Sequence, residues 1–171
     1  MEIRVEDNNE YDTGIHPEVT VIEFRRRAVG EFFKENRFPN LVKLPCINNQ
    51  LTKLELNCPS LRELWCYHNQ LAELELNCPS LQELDCYNNQ LTKLELDCPS
   101  LRELWCYSNR LTNLELVCPS LQTLWCSHNK LMDLYGLEFC ADLEKLRCSV
   151  ALEDSVEILK THLPDLQVEY L

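Results

Sequence analysis

A leucine recurs every 20 residues through the middle of this 171-residue chain, at Leu41, Leu61, Leu81, Leu101 and Leu121, and again at Leu143 after two extra residues. A fixed period of that length means that one small unit is copied and stacked, because a unit so short cannot bury an apolar face alone. The copy from Leu61 to Ser80 reads LRELWCYHNQLAELELNCPS. The other copies keep its apolar frame and change a few positions, so the frame reports the fold and the changes report a presented surface.

Inside one copy, Leu64 and Cys66 have strand period and point one way, while Trp65 and Tyr67 point the other. One face is therefore buried and an aromatic one presented. Asn69 falls where the chain must turn, with Asn49, Asn89, Asn109 and Asn129 at the same place in their copies. A short amide there can satisfy backbone groups of neighbouring coils, which predicts an asparagine ladder. Leu71, Leu74 and Leu76 send apolar groups inward from the opposite wall, with Glu73 and Glu75 outside. That stretch lacks a helical stripe and reads as extended. Cys78 and Pro79 close the coil, since proline ends pairing.

The frame Leu-x-x-Leu-x-Cys-x-x-Asn-x-Leu, in five full copies with a sixth beginning over about residues 41–149, resembles the leucine-rich repeat family. Its short period, Asn-Gln-Leu and Cys-Pro-Ser are most similar to repeats of bacterial effectors and giant-virus proteins. The resemblance implies a repeat solenoid of the α/β class that is mostly β. It would have a parallel β-sheet on the concave face, an extended or irregular convex side and short helices in terminal caps. It implies no activity, because function lives in sites placed on folds.

A single domain is expected, with residues 1–40 as an N-terminal cap (strand plus helix), 41–149 as repeats and 150–171 as a C-terminal cap (helix plus strand); caps cover the ends of a stacked core. Val19, Ile22 and Phe24 repeat the strand spacing ahead of Leu41. Phe24, Ala28, Val29, Phe32 and Phe33 then form a helical stripe, with Arg25, Arg26, Arg27, Lys34 and Arg37 largely outside it as a solvated face or a docking site for an acidic partner. The first dozen residues are an edge strand or a loose tail. At the other end, Asp154 or Ser155 is expected to cap a helix through Val156, Ile158, Leu159 and His162, and Leu163, Leu166 and Val168 give a closing strand.

Eleven cysteines call for an explanation, and their spacing supplies it. Cys46, Cys66, Cys86, Cys106, Cys126 and Cys148 hold one apolar site of the repeat, and Cys58, Cys78, Cys98, Cys118 and Cys140 another. Cysteine is a small hydrophobe, so free thiols can line a narrow coil. Neighbours about 4.8 Å apart run parallel, which suits disulfide geometry poorly. An odd count favours reduced thiols, and no Cys-x-x-Cys pair points to zinc. No metal and no cofactor is expected.

The presented face reads as columns. Pro45, Trp65, Asp85, Trp105, Trp125 and Arg147 form the innermost, which contains every tryptophan. Ile47, Tyr67, Tyr87, Tyr107, Ser127 and Ser149 flank it on one side; Lys43, Glu63, Glu83, Glu103, Thr123 and Lys145 on the other. Beyond the tyrosines the column Asn48, His68, Asn88, Ser108 and His128 varies most. Aromatics held on a rigid sheet among acids have the composition of an interaction hot spot. The candidate partner-binding residues are Trp65, Tyr67, His68, Asp85, Tyr87, Trp105, Tyr107, Trp125, His128, Glu63, Glu83 and Glu103. Against this stands tandem duplication: copies 61 and 101 share LRELWCY, and neighbouring aromatics also steady a sheet by cross-strand contact. His68 and His128 lie three strand steps apart, about 14 Å, too far to share a metal.

With 28 acids against 16 bases the net charge is −12, which repels phosphate backbones and anionic membranes. A basic protein or peptide is the expected partner, helped by cation contacts with the indoles. The glutamates Glu55, Glu75, Glu95 and Glu115 on the opposite wall read as a solubilising surface. No nucleophile converges with a base, since stacked columns make no pocket and Ser127 and His128 face apart; a non-catalytic module is expected. No apolar run is long enough to span a membrane, and Met1-Glu2-Ile3-Arg4 lacks a secretory core. The expectation is an intracellular interaction module, cytoplasmic or in a host cytosol if it is an effector or viral host-interaction protein, monomeric or weakly self-associating. The alternative is a structural component that forms a homo-oligomer through caps or sheet edges.

Overall fold

A computed structural model of the chain describes residues 2–5, 19–24 and 38–171. Each copy adds one short strand to a parallel sheet and then returns along an outer wall. The sheet takes β1 (Glu2–Val5), β2 (Val21–Phe24), β3 (Lys43–Pro45), β5 (Glu63–Trp65), β7 (Glu83–Asp85), β9 (Glu103–Trp105), β11 (Thr123–Trp125), β12 (Lys145–Cys148) and β13 (Gln167–Tyr170), paired in that order. The register is fixed by the 20-residue period: Leu44, Leu64, Leu84 and Leu104 stand opposite one another in turn. All four are fully buried, whereas the residues on either side of each are only partly covered or exposed. The phase deduced from the alternation of Leu and Trp therefore holds.

Pairing continues past the assigned strands. Cys66 N–H donates to the carbonyl of Asp85 (2.8 Å), and His68 N–H to that of Tyr87 (3.2 Å). There the chain turns through a left-handed residue in every copy: Asn48, His68, Asn88, Ser108 and His128 have φ between 50° and 55°. The asparagine next to it closes the turn. Asn89 Nδ2 donates to the carbonyls of Cys66 and Cys86, both at 3.0 Å, and its Oδ1 accepts from Leu71 N–H at 2.9 Å. Asn69, Asn109 and Asn129 repeat the pattern. One amide thus ties each coil to the one before it.

The outer wall is extended, as its lack of a helical stripe predicts. In it β4 (Lys53–Asn57) pairs with β6 (Glu73–Asn77), and β8 (Glu95–Asp97) with β10 (Glu115–Val117), all parallel. Lys53 reaches Glu55, Glu73 and Glu75 at 2.7, 2.8 and 3.2 Å, and Lys93 pairs with Glu95 and Glu115. The outer acid column is thus partly neutralised. Exposed pairs of this kind add little stability. The return to the sheet is a four-residue turn, with Leu81 N–H donating to the Cys78 carbonyl (3.0 Å) and Pro79 at the second position, where its fixed φ is pre-set. Leu61, Leu101 and Leu121 close the same turn.

The two extra residues of the last copy replace its outer strand. Gly136, at φ 93°, turns the chain into a short 3-10 helix over Leu137–Phe139, which keeps Leu137 in the core. A side chain at that φ would be strained. Beyond it, α1 spans Glu153–Lys160 and buries Val156 and Leu159. Two expectations fail here. A 3-10 turn over Val150–Leu152 leads into α1, so Asp154 and Ser155 lie inside the helix and no side chain caps it. The helix also ends at Lys160, short of the expected His162; its inward stripe is Leu152, Val156 and Leu159, with Ile158 exposed. The N-terminal strand is present and β1 pairs with it in parallel, while the helix and basic cluster expected over residues 25–37 lie outside the described residues.

Every one of the eleven cysteines is a free thiol, none more than 2% exposed. Burial pushes Cys46, Cys58 and Cys98 up to about 12 and Cys78 to about 11. The thiolate is the reactive form, so at neutral pH almost none is present. A thiol reagent at pH 7.5 is expected to modify less than about one cysteine per native molecule while the urea-unfolded chain releases all eleven. Rapid native reaction of several thiols would mean that the coil is open.

The left-handed turn gives a second prediction. A β-branched residue there costs about 1–2 kcal/mol, whereas asparagine adopts the conformation readily. His128→Val should therefore lower the unfolding free energy by about that amount, and His128→Asn should leave it unchanged or slightly higher, as read by urea denaturation.

Candidate functional site

The presented side of the sheet brings the candidate residues together in rows set by register. Trp65, Asp85, Trp105, Trp125 and Arg147 stand side by side across β5, β7, β9, β11 and β12, and Glu63, Glu83, Glu103, Thr123 and Lys145 beside them. The indoles are half-buried. A shallow depression of about 280 Å³ opens between the rows, lined by Trp65, Tyr67, Glu83, Asp85, Tyr87, Trp105, Tyr107 and Trp125. Eight of the twelve residues singled out from sequence therefore share one hollow. Glu63 and Glu103 flank it, and His68 and His128 lie beyond the tyrosines.

The aromatic columns are not equivalent. Tyr67, Tyr87 and Tyr107 stack face to face at 4.6 and 4.5 Å with interplanar angles of 11° and 7°. Their faces are spent on each other, so they form a wall that offers edges and hydroxyls. His68 packs edge-on against Tyr67 and Tyr87, with its Nδ1 3.3 Å from Asn88 Nδ2. It reads as part of that wall. His128 is exposed. Ser127 departs from the presented flank to which its position assigned it: it is 1% exposed, a side chain too short to reach out where its neighbours carry tyrosine. Tyr107 leans instead toward Trp125, at 6.3 Å and 50°.

The tryptophans are held one by one. Trp65 Nε1–H donates to Glu83 Oε1 at 2.6 Å, and Lys43 Nζ lies 3.6 Å from the centre of its ring. Lys43 also pairs with Glu63 at 2.6 Å. Arg147 Cζ lies 4.2 Å from the centre of Trp125, and its guanidinium meets Glu169 at 2.5 Å. Trp105 meets Trp125 edge to face at 6.3 Å.

Asp85 sits at the centre of the hollow. Its Oδ1 is covered and has no hydrogen-bond partner among the described residues. Burial is the main cause that pushes the carboxyl up to about 7, with Glu83 adding repulsion and the backbone N–H of Tyr87 opposing. A carboxylate placed between two indoles is costly to keep ionised.

Three features escaped the sequence reading. The variable column is the left-handed turn, and its restriction to Asn, His and Ser was the available signal. The cations over Trp65 and Trp125 depend on how far Lys43 and Arg147 reach; Arg147 is in register beside Trp125, whereas Lys43 is in register with Glu63. Finally, Met132, Tyr135, Phe139 and Ile158 are strongly exposed, and Tyr135 and Ile158 border a depression of about 330 Å³ with Asp133, Glu138, Ser155 and His162. Among the described residues no group of three or more His, Cys, Asp or Glu is placed to hold a metal ion, and no helix is long and apolar enough to cross a membrane.

Comparison with known proteins agrees with this geometry. The family model described as Leucine Rich repeats (2 copies) matches residues 79–118. A search of the curated proteins finds no match. Among solved structures, YopM from Yersinia enterocolitica WA-314 is similar at 25% identity with a TM-score of 0.61, over 78% of this chain and 33% of that one. The functional domain of InlJ from Listeria monocytogenes, described as including a cysteine ladder, is similar at 22% identity and 0.61, over 98% of this chain and 43% of its own. A leucine-rich-repeat protein of Leptospira interrogans follows at 20% and 0.51, over 87% and 53%. The chain thus spans about a third to a half of the length of these structures. With its 20-residue frame stacked into a parallel sheet and tied by asparagines, and with these likenesses beside it, the chain has the fold of leucine-rich repeat proteins.

Proposed function

We propose that the chain is a non-catalytic protein-interaction module whose presented sheet face takes a basic segment of a protein or peptide partner. The observation that carries this reading is the Asp85 carboxyl, whose Oδ1 has no hydrogen-bond partner among the described residues, in an aromatic hollow bordered by Glu63, Glu83 and Glu103. Burying aromatic area supplies affinity, and the charge selects a cationic partner. The leucine-rich-repeat fold and its likeness to YopM and InlJ support an interaction role. The repeat's resemblance to those of bacterial effectors fits a protein that meets its partner in a host cytosol. The reading requires neither metal nor cofactor.

Selection from a display library of random peptides tests it. Peptides rich in Arg and Lys are expected to be enriched, and the combined variant Trp65→Ala, Trp105→Ala, Trp125→Ala should lose at least about tenfold in capture while its circular dichroism stays that of the parent. Enrichment of acidic or neutral peptides, or capture that survives the loss of all three indoles, would refute the reading. One observation favours a second: the exposed Met132, Tyr135, Phe139 and Ile158 suit self-association through the C-terminal end. Sedimentation that depends on concentration, and that Ile158→Glu abolishes, would support assembly instead.

A further inference from the structure

Two of the three indoles on the sheet already hold a cation from this same chain, and each does so in the same way. Lys43 lies on Trp65 with Glu63 as its counter-ion; Arg147 lies on Trp125 with Glu169 as its own. The unit is an indole face, a cation on it and a carboxylate beside it. In the middle of the row the indole and the carboxylate recur as Trp105 and Asp85, adjacent in register. Among the described residues no basic side chain pairs with Asp85, and every charged group facing it from its own strand and from the two beside it, Glu83, Glu63 and Glu103, is an acid.

We propose that the depression between Trp65 and Trp105 binds one arginine side chain of the partner, its guanidinium resting on the Trp105 indole and donating to the Asp85 carboxylate. The inference deepens the proposed function and rests on it for the existence of a protein partner. Three properties of the hollow select arginine. One oxygen of the carboxylate, Oδ1, lacks a donor, so the ligand must carry N–H groups, which a quaternary ammonium does not. The hollow is lined mostly by ring systems, and a planar guanidinium can lie on an indole while donating from its edge. It is also weakly hydrated compared with an ammonium, so entry between aromatics costs it less water. The χ2 torsion of an aspartate is soft and two-fold, so Asp85 can turn either oxygen to the arriving donor. At about 280 Å³ the space suits the head of a side chain and not a folded element.

Small probes separate this site from the broader reading. The indole N–H resonances of the three tryptophans are followed by NMR during titration with Nα-acetyl-arginine amide, Nα-acetyl-citrulline amide, Nα-acetyl-lysine amide and tetramethylammonium. Arginine amide should shift the Trp105 indole saturably, citrulline amide should not, and the two other cations should bind several-fold more weakly. Asp85→Asn should weaken the arginine response at least about tenfold, the scale of a lost charge-assisted hydrogen bond, with the remaining indole signals unmoved as proof of an intact fold. Trp105→Leu offers a second disruption that leaves the carboxylate in place.

An equal response to tetramethylammonium or lysine amide, no response to arginine amide, or full binding by Asp85→Asn would each overturn the proposal. Were display to enrich basic peptides whose capture ignores Asp85, the recognition surface would stand and the arginine site would fall. Were arginine amide to bind as described while no peptide is enriched, the site would stand and the wider reading would fall.

Discussion

Asn89→Ala is expected to lower the unfolding free energy by about 3 kcal/mol. The size follows from counting what is left behind. Leu71 N–H, buried beneath the coil, loses its acceptor, and a buried donor without a partner costs about 1–3 kcal/mol. The carbonyls of Cys66 and Cys86 lose one donor each, but Asn69 still serves the first and Asn109 the second. Each of those losses is worth about 0.5–1.5 kcal/mol. Asn89→Asp should be worse than alanine at neutral pH, since it keeps the shape while aiming a charge at two carbonyl oxygens. Because each coil touches only its neighbours, stability in such a stack is a sum of local couplings. A break in the middle is therefore expected to broaden or split the urea transition, where a change near an end would only fray it. A loss below about 1 kcal/mol would mean that backbone pairing alone carries the coils.

The ladder also shows which parts of the structure a sequence discloses. Phase, period and the asparagines are local properties repeated in every copy, so Leu64, Cys66 and Asn69 could be placed inward and at the turn without any knowledge of the neighbours. What the neighbours decide was not legible. The tyrosines look like an offered surface when one copy is read alone, yet in the stack their spacing lets the rings pair with each other. Tyr87 has a ring on each side. His68 and Asn88 looked variable, and variation reads as contact with a partner; both instead satisfy one backbone requirement, φ near 50°. Lys43 and Arg147 were visible as column members, but their coverage of Trp65 and Trp125 depends on side-chain conformation. At the end of the chain the periodicity is lost, and with it the guidance: the helix follows a 3-10 turn over Val150–Leu152, starts ahead of Asp154 and Ser155 and ends at Lys160, short of His162.

The same comparison narrows the site. Of the aromatic and acidic residues gathered on this face, most are already engaged: Trp65 by Glu83 and Lys43, Trp125 by Arg147, the tyrosines by one another. Those contacts hold the walls rigid, which lowers the ordering cost of binding. Asp85 and Trp105 remain as the pair whose surroundings are prepared and whose counter-charge is missing.

Asp85→Asn is the second expected result, a gain in stability of about 2 kcal/mol at pH 8 that vanishes near pH 3.5. The carboxyl stands near 7 in the fold against an ordinary 3.8. An acid whose folded value is raised takes up a proton on folding at any pH between the two. The native state is therefore destabilised progressively as pH rises from about 4 to 7, the penalty is complete above 7, and below 4 both states are protonated and no penalty remains. At 1.36 kcal/mol per pH unit the whole displacement would amount to about 4 kcal/mol; solvent screens the exposed part of the carboxylate, and about half that is expected to be measured. Subtracting the parent's pH profile of urea stability from the variant's isolates this group from the other acids. A difference that is constant with pH would mean that Asp85 is as well solvated as any surface carboxylate. A guanidinium placed on Trp105 would act in the opposite direction, favouring the ionised form and drawing the titration back down. The residue that costs the free molecule stability is thus the one whose cost a cationic partner removes, and this difference between free and bound states is what gives the hollow its selectivity for positive charge.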